Sequence, residues 1–312
     1  MKISRWNTVL LCLTALFIGQ VSAADTRAIT DAAGQTHQVP VDPQRVITLS
    51  EIDLDASLAL GLQPIGSVNG RGQSSLPRYL LQRAEGVKVV GDLDNPNLEI
   101  LLEQEPDLIL TGPAKPEVLA LLNEIAPTVV TYQWGTPWKD TLNLTANVLN
   151  RQDAAKAFIQ RYDARVAEVR ENLIDHQGQT ISIVRWNPKG PAYMFRDSFA
   201  SQVARELGLK RPSYQQDPGH THSQSLSLES LELLDANWLV IGTLDTSGEA
   251  VDALHQAEQN PAFQQLSAIE AKRYDAVDGS LWTSVGGPLA AMTIINDIER
   301  LLSKADAEPV TP

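Results

Sequence analysis

The chain has 312 residues, is 43% hydrophobic and carries a net charge of −13 at neutral pH. That size and apolar content fit two globular domains, and neither Gly nor Pro is enriched enough for a fibrous or low-complexity protein. The acidity excludes nucleic-acid binding through a general electrostatic field, although a few local arginines are enough to set the potential of one pocket.

Residues 1–23 read as an export signal. Lys2 and Arg5 precede an apolar core, Val9 to Ile18, and Val21-Ser22-Ala23 is a small-residue cleavage site, so cleavage is expected after Ala23. The apolar run is about half the roughly 20 residues that span a bilayer, which argues against an anchor. Cys12, the one cysteine, lies inside this core and lacks the small preceding residue that lipoprotein processing prefers. The mature chain then has no thiol. This excludes disulfides, thiolate metal sites and cysteine nucleophiles, and it suits a bacterial periplasm.

Asp31 to Pro43 reads as an exposed lead-in punctuated by Gly34, Pro40 and Pro43. Strands are expected at Arg45–Leu49, Pro64–Val68, Val87–Val90, Leu108–Leu110 and Thr128–Tyr132. Helices are expected between them, at Leu54–Leu60 with Gly61 as its stop, Leu98–Gln104 and Val118–Ile125. Gln152 to Ile174 has no Gly or Pro, and Phe158, Tyr162, Val166, Val169 and Leu173 recur at spacings of three or four. The stretch predicts one helix of roughly 35 Å at about 1.5 Å per residue, with Asn150 as its N-cap. Alternation then resumes. Strands are expected at Thr180–Trp186, Trp238–Ile241 and Arg273–Val277, with helices at Ser198–Leu207, Leu228–Leu234, Pro261–Leu266 and Pro288–Leu302. Ala305 to Pro312 reads as a disordered tail.

The two halves repeat each other. NPNLEILLEQEPDLILTG (95–112) and SLSLESLELLDANWLVIG (225–242) align at a constant offset of 130, pairing Leu98 with Leu228, Glu99 with Glu229, Leu101 with Leu231 and Gly112 with Gly242. The expected fold is therefore α/β: two Rossmann-like lobes with mainly parallel sheets, residues 24–150 and 177–304, joined by a connecting helix over 151–176.

RVITLS, LGLQPIGSV, NLEILLEQEPDLILTG, LNEIAPTVV, the central helix, SLSLESLELLDANWLVIG, NPAFQQLSAIEAKRYDAVDG and LWTSVGGPLAAMTIINDIERLL occur in one order from about Arg45 to Leu302. The set resembles the periplasmic binding proteins that deliver iron–siderophore complexes, ferric citrate, haem or vitamin B12 to ABC importers. The resemblance implies a rigid two-lobed receptor without catalysis or cofactor. It implies a ferric siderophore-type chelate between the lobes, and a permease with its ATPase as partner. The receptor would be a monomer that meets the membrane only through that permease. Haem or a corrinoid is the alternative ligand. The resemblance further implies that Glu99 and Glu229 dock onto the permease. Read from the residues alone, each is a carboxylate favoured in the first turn of a helix by the helix dipole, by roughly 0.3–1 kcal/mol.

Ligands of open α/β sheets sit beyond the carboxyl ends of the strands. The strand exits offer Ser50, Glu51, Arg71, Lys115 and Trp134 in the first half, and Arg185, Trp186, Tyr193, Arg196, His220, His222 and Trp282 in the second. Arg71, between two glycines, and Arg185 suit carboxylate or catecholate oxygens; a solvated loop arginine is the other reading of Arg71. Trp134, Trp186 and Trp282 are candidate apolar walls, or core. Relatives that the chain resembles use a histidine near Gly219-His220-Thr221-His222 on the iron of an incompletely chelated siderophore; a polar loop with two solvated histidines is the alternative. Pro113 and Thr283 stand where such relatives carry an arginine and a tyrosine, which weakens a tris-catecholate arrangement. His37, His176 and His255 fall in polar, exposed-looking stretches, which weakens a zinc site. A two-lobed enzyme is disfavoured because G-x-S-x-G, the P-loop pattern and G-x-G-x-x-G after a strand are all absent.

Overall fold

The computed structural model describes residues 25–93 and 95–307; the expected export signal with Cys12, and residues 308–312, lie outside that range. The expected lead-in is instead part of an antiparallel hairpin, β1 (Thr26–Thr30) and β2 (Thr36–Pro40). Ile29 and Val39 are buried on one side of this ribbon, enough to hold a two-stranded element against a larger body.

β3 (Val46–Thr48), α1 (Glu51–Ala59), β4 (Gly66–Ser67), β5 (Lys88–Val89) and the short ribbon β6 (Gly91–Asp92) with β7 (Asn95–Pro96) follow. Then come α2 (Leu98–Glu103), β8 (Leu108–Thr111), α3 (Pro116–Ile125) and β9 (Thr128–Val130). The first sheet has the order β5-β4-β3-β8-β9, and each pairing is parallel. Ser50 starts α1 because its hydroxyl accepts the Asp53 amide at 3.0 Å. Asn97 starts α2 by accepting from the amides of Glu99 and Ile100.

α4 (Trp138–Val148), which the sequence reading missed, leads into α5 (Gln152–Asn172), the long connecting helix, followed by a 3₁₀ turn at Ile174–His176. The N-cap is Arg151 rather than Asn150. Asn150 has φ of 56°, because the chain reverses between α4 and α5 within Leu149–Arg151 and Asn tolerates the left-handed region this requires. Phe158, Tyr162, Val169 and Leu173 of the expected stripe are buried, and Trp138 of α4 meets Phe158 and Tyr162 edge-on.

The second half contains β10 (Ile181–Asn187), β11 (Gly190–Tyr193), α6 (Phe199–Glu206), β12 (Trp238–Thr243) and α7 (Glu249–Glu258). Two short helices, α8 (Pro261–Gln264) and α9 (Ser267–Glu270), precede β13 (Tyr274–Asp278), α10 (Gly279–Trp282) and α11 (Pro288–Ala307). The sheet order is β11-β10-β12-β13, with β11 antiparallel and the rest parallel. Two expectations are corrected here. Leu228–Leu234 is a 3₁₀ segment kinked at Ser230, and Ser227 makes no side-chain cap bond to it. The final helix continues into the expected tail as far as Ala307, through good helix formers.

The halves are held together by more than α5. α11 packs against α1, α4, α5 and α6. Asp55 of α1 accepts the Leu289 and Ala290 amides at 2.7 and 2.9 Å, so the first half caps the last helix of the second. Gly287 makes this possible, since a Cβ there would lie 2.8 Å from the Asp55 carboxylate. Arg78 forms a two-pronged ion pair with Asp278, and Arg165 of α5 pairs with Glu299 of α11. One apolar cluster runs from Val46 and Leu108 through α5 to Ile181 and Val240. Among the described residues no helix is long and apolar enough to cross a membrane.

Candidate functional site

The carboxyl ends of β3, β8 and β9 open into a cavity of about 530 Å³. This is within the roughly 300–1,000 Å³ usual for small-molecule sites. Ser50 and Glu51 come from the start of α1, and Arg71 from the loop after β4. Thr111 to Lys115 come from the end of β8, and Tyr132 and Trp134 from the exit of β9. Val285 is the one lining residue from the second half. A neighbouring hollow of about 460 Å³ shares Arg71 and Leu93, so Arg71 stands between two open volumes.

Local structure aims these groups. Gly72, with φ of +66°, turns the loop that carries Arg71, and a Cβ there would press on Leu244 of the second half at 2.9 Å. The backbone amide of Arg71 donates to Glu51 Oε1 at 2.7 Å. At the end of β8, Gly112 lets Tyr132 close in; a Cβ would lie 2.3 Å from the phenol oxygen. Trp134 is 66% exposed and meets Tyr132 edge-on at 6.5 Å, so its indole projects over the opening with little of it committed to packing.

The cavity is cationic on its walls and apolar behind them. Arg71 and Lys115 line it, and Glu51 is the single carboxylate among its described lining residues. Burial pushes the Glu51 carboxyl above its ordinary range, against the opposing effect of its bonds from Arg71 and Ser284. Arg185 lies nearby, at the end of β10. Burial first, and the charge of Arg71 second, lower its guanidinium to about 10. It donates to Thr283 Oγ1 at 2.9 Å and to the Thr283 carbonyl, so Thr283 holds an arginine.

The sequence candidates therefore divide. Arg71, Lys115, Trp134, Ser50 and Glu51 meet at one cavity, and Arg185 lines none of it but is close enough to feel the charge of Arg71. Trp186 and Trp282 are core residues, each 1% exposed. Trp186 packs on Phe263, and the Trp282 indole donates to Asp297 of α11. α10 begins directly against the end of β12, where a Cβ on Gly242 would meet the Gly279 backbone at 2.5 Å. Tyr193 stacks edge-on with Phe195 and lines neither the 530 Å³ cavity nor the hollow beside it. Arg196 is exposed and pairs with Asp197. His220 donates from Nδ1 to the Asp197 carbonyl at 2.9 Å and faces the backbone of Gly135 at a side cavity of about 60 Å³ that Trp134 also borders. His222 bonds to the Ser223 carbonyl through Nδ1 and lines neither cavity. His176, expected to be exposed, is buried edge-on against Trp238. Among the described residues no group of three or more His, Cys, Asp or Glu could hold a metal ion. Glu99 and Glu229 are both exposed.

The sequence reading missed Tyr132 and Val285 as cavity walls and Asp55 and Arg78 as bonds between the halves. Tyr132 was legible as the first aromatic past a β-branched strand. The partners of Asp55 and Arg78 are more than 160 residues away in the chain and left no local trace.

The periplasmic binding protein family model matches residues 55–276. The chain is 33% identical over 294 residues to a probable siderophore-binding lipoprotein of Bacillus subtilis, covering 91% of this chain and 90% of that protein. It is 30% identical to the achromobactin-binding periplasmic protein of Dickeya dadantii, covering 83% of this chain and 86% of that one. Among solved structures it is similar to Staphylococcus aureus SirA complexed with staphyloferrin B, with a TM-score of 0.77 and 26% identity over 89% of this chain and 99% of that chain. The chain belongs to the periplasmic binding protein family, whose members bind ligands and do not transform them.

Proposed function

We propose that the chain captures an anionic ferric chelate of the siderophore class in the Arg71 cavity and delivers it to an ABC importer. The observation that carries this reading is the cavity itself: about 530 Å³, with Arg71 and Lys115 on its wall and Trp134 over its mouth. Guanidinium and ammonium groups attract carboxylate or catecholate oxygens, and an indole covers a chelate's organic shell. The names of the relatives, a siderophore-binding lipoprotein and an achromobactin-binding protein, agree with that chemistry. So does the staphyloferrin B bound to SirA. Arg185, close enough to Arg71 to feel its charge, adds positive potential.

Glu99 and Glu229 are exposed at equivalent repeat positions and serve as the two docking points for the permease. The protein acts after export, with Ala23 as the last residue removed, and works as a monomer in the periplasm. One relative is named a lipoprotein, so the N-terminal residue and mass of the mature protein decide between free and anchored forms. His220 borders the smaller side cavity, and neither histidine of its loop lines the larger one, so no observation favours haem over an anionic chelate.

The test is tryptophan-quenching titration against ferric staphyloferrin B, ferric citrate, ferric hydroxamates and catecholates, haem and cobalamin. Saturable quenching by an anionic ferric chelate at or below micromolar concentration is expected. Binding of none of them below about 10 μM, roughly −7 kcal/mol, would reject the reading.

A further inference from the structure

Glu51 is out of place in a site built to hold anions. It is 3% exposed, yet it is on the cavity wall beside Arg71. Its Oε1 accepts the Arg71 amide at 2.7 Å, and Oε2 accepts the Ser284 hydroxyl from the second half at 3.4 Å. The charges that face it are Arg71 from the loop after β4 and Asp278 from the end of β13. The phenols of Tyr79 and Tyr132 also feel its charge, and Asp53 and Asp55 follow it on α1.

We propose that Glu51 is a positioning residue that couples ligand capture to proton uptake: the cleft takes a proton onto Glu51 as it takes in an anionic chelate. The proposal rests on the anionic-chelate reading above. In the empty cleft, ionised Glu51 is partly offset by Arg71. An entering anion pairs with Arg71 and adds negative charge beside the carboxylate, and both effects favour its protonated form. A protonated Glu51 no longer repels the ligand, and Oε1 still accepts the Arg71 amide, so the loop keeps its place. The proton comes from solvent and leaves when the ligand does.

The sign follows from linkage. The ligand raises the proton affinity of Glu51, so binding tightens as pH falls from above the bound-state midpoint to the free-state midpoint. Within that window affinity changes by up to about tenfold per pH unit for one proton.

Two measurements test this. In the free protein, carbon-13 NMR titration of the Glu51 carboxyl, assigned with Glu51→Gln, is expected to give a midpoint above the ordinary glutamate value of 4.5. A midpoint at or below that value would overturn the proposal without reference to any ligand. Calorimetric titration with ferric staphyloferrin B, run in two buffers of different ionisation heat between pH 6 and 8, counts the protons taken up. Wild type is expected to take up a measurable fraction of a proton that Glu51→Gln does not, and Glu51→Gln is expected to bind more tightly at pH 8. Equal proton uptake by both proteins would sink the proposal while leaving the anionic-chelate reading intact. Absence of binding by every ferric chelate would remove that reading and the proposal with it.

Discussion

The two halves share a three-strand core in one order and direction, β3-β8-β9 in the first and β10-β12-β13 in the second, and each central strand has a glycine within one residue of its end. Those glycines do different work. Gly112 admits the tip of Tyr132 and leaves the strand end open to a cavity. Gly242 admits the backbone of Gly279, and α10 seals the strand end. The fourth strand also differs, parallel β4 in one half and antiparallel β11 in the other. Of two similar sheets, one presents a pocket and the other adds Val285 to its wall and Arg185 near Arg71.

Two tryptophans, Trp282 and Trp134, give the largest contrast that can be broken. Trp282→Ala removes a fully buried side chain and is expected to cost about 4 kcal/mol in urea unfolding, with Trp282 1% exposed. Trp134→Ala, at an exposed position, should change stability by less than about 0.5 kcal/mol while weakening ligand binding several-fold. Equal losses of stability would show that the halves are not divided in this way.

Next is pH. Burial raises Asp53 of the first half from 3.8 to about 6, against the bonds from Ser50 and Thr131. The folded protein therefore binds more protons than the unfolded chain between those values. This contribution favours the fold at acid pH and fades as pH rises through 6, by up to about 3 kcal/mol. Asp55 behaves alike, raised to about 6 by burial. Asp53→Asn should remove its share of the slope in unfolding measured from pH 4 to 7; an unchanged slope would refute the assignment.

The glycines give a smaller effect. Gly242→Ala drives a methyl into backbone and should cost about 2 kcal/mol. Gly112→Ala meets the end of a side chain that can swing into the cavity, so its stability loss should be smaller and its main effect lower ligand affinity. Chemical denaturation and ligand titration of both variants separate the two outcomes. The smallest expected change is that of Arg71→Ala, about 1.5 kcal/mol or roughly tenfold in affinity, from one lost charge-assisted contact. Arg71→Ala should leave the loop in place, because the backbone amide, not the guanidinium, bonds Glu51.

Local signals account for what was legible. The β-branched runs at Val46–Thr48 and Thr128–Val130 and the Gln152–Asn172 helix all form where short-range pattern places them. Leu228–Leu234 departs from its repeat partner because Ser227 supplies no cap bond and Ser230 leaves helical geometry. Trp282 misled because proximity to a strand end does not say which side is open; α10, one turn long, decides that.

Strand and helix alternation, the repeat and the central helix follow from periodicity, propensity and punctuation, which act over a few residues and are written in the order of the chain. The site does not. That Arg71, Lys115, Tyr132 and Trp134 surround one space, that Glu51 faces Arg71, and that Asp55 caps α11 depend on how segments far apart in sequence pack, and burial then sets the charge states that give those groups their chemistry.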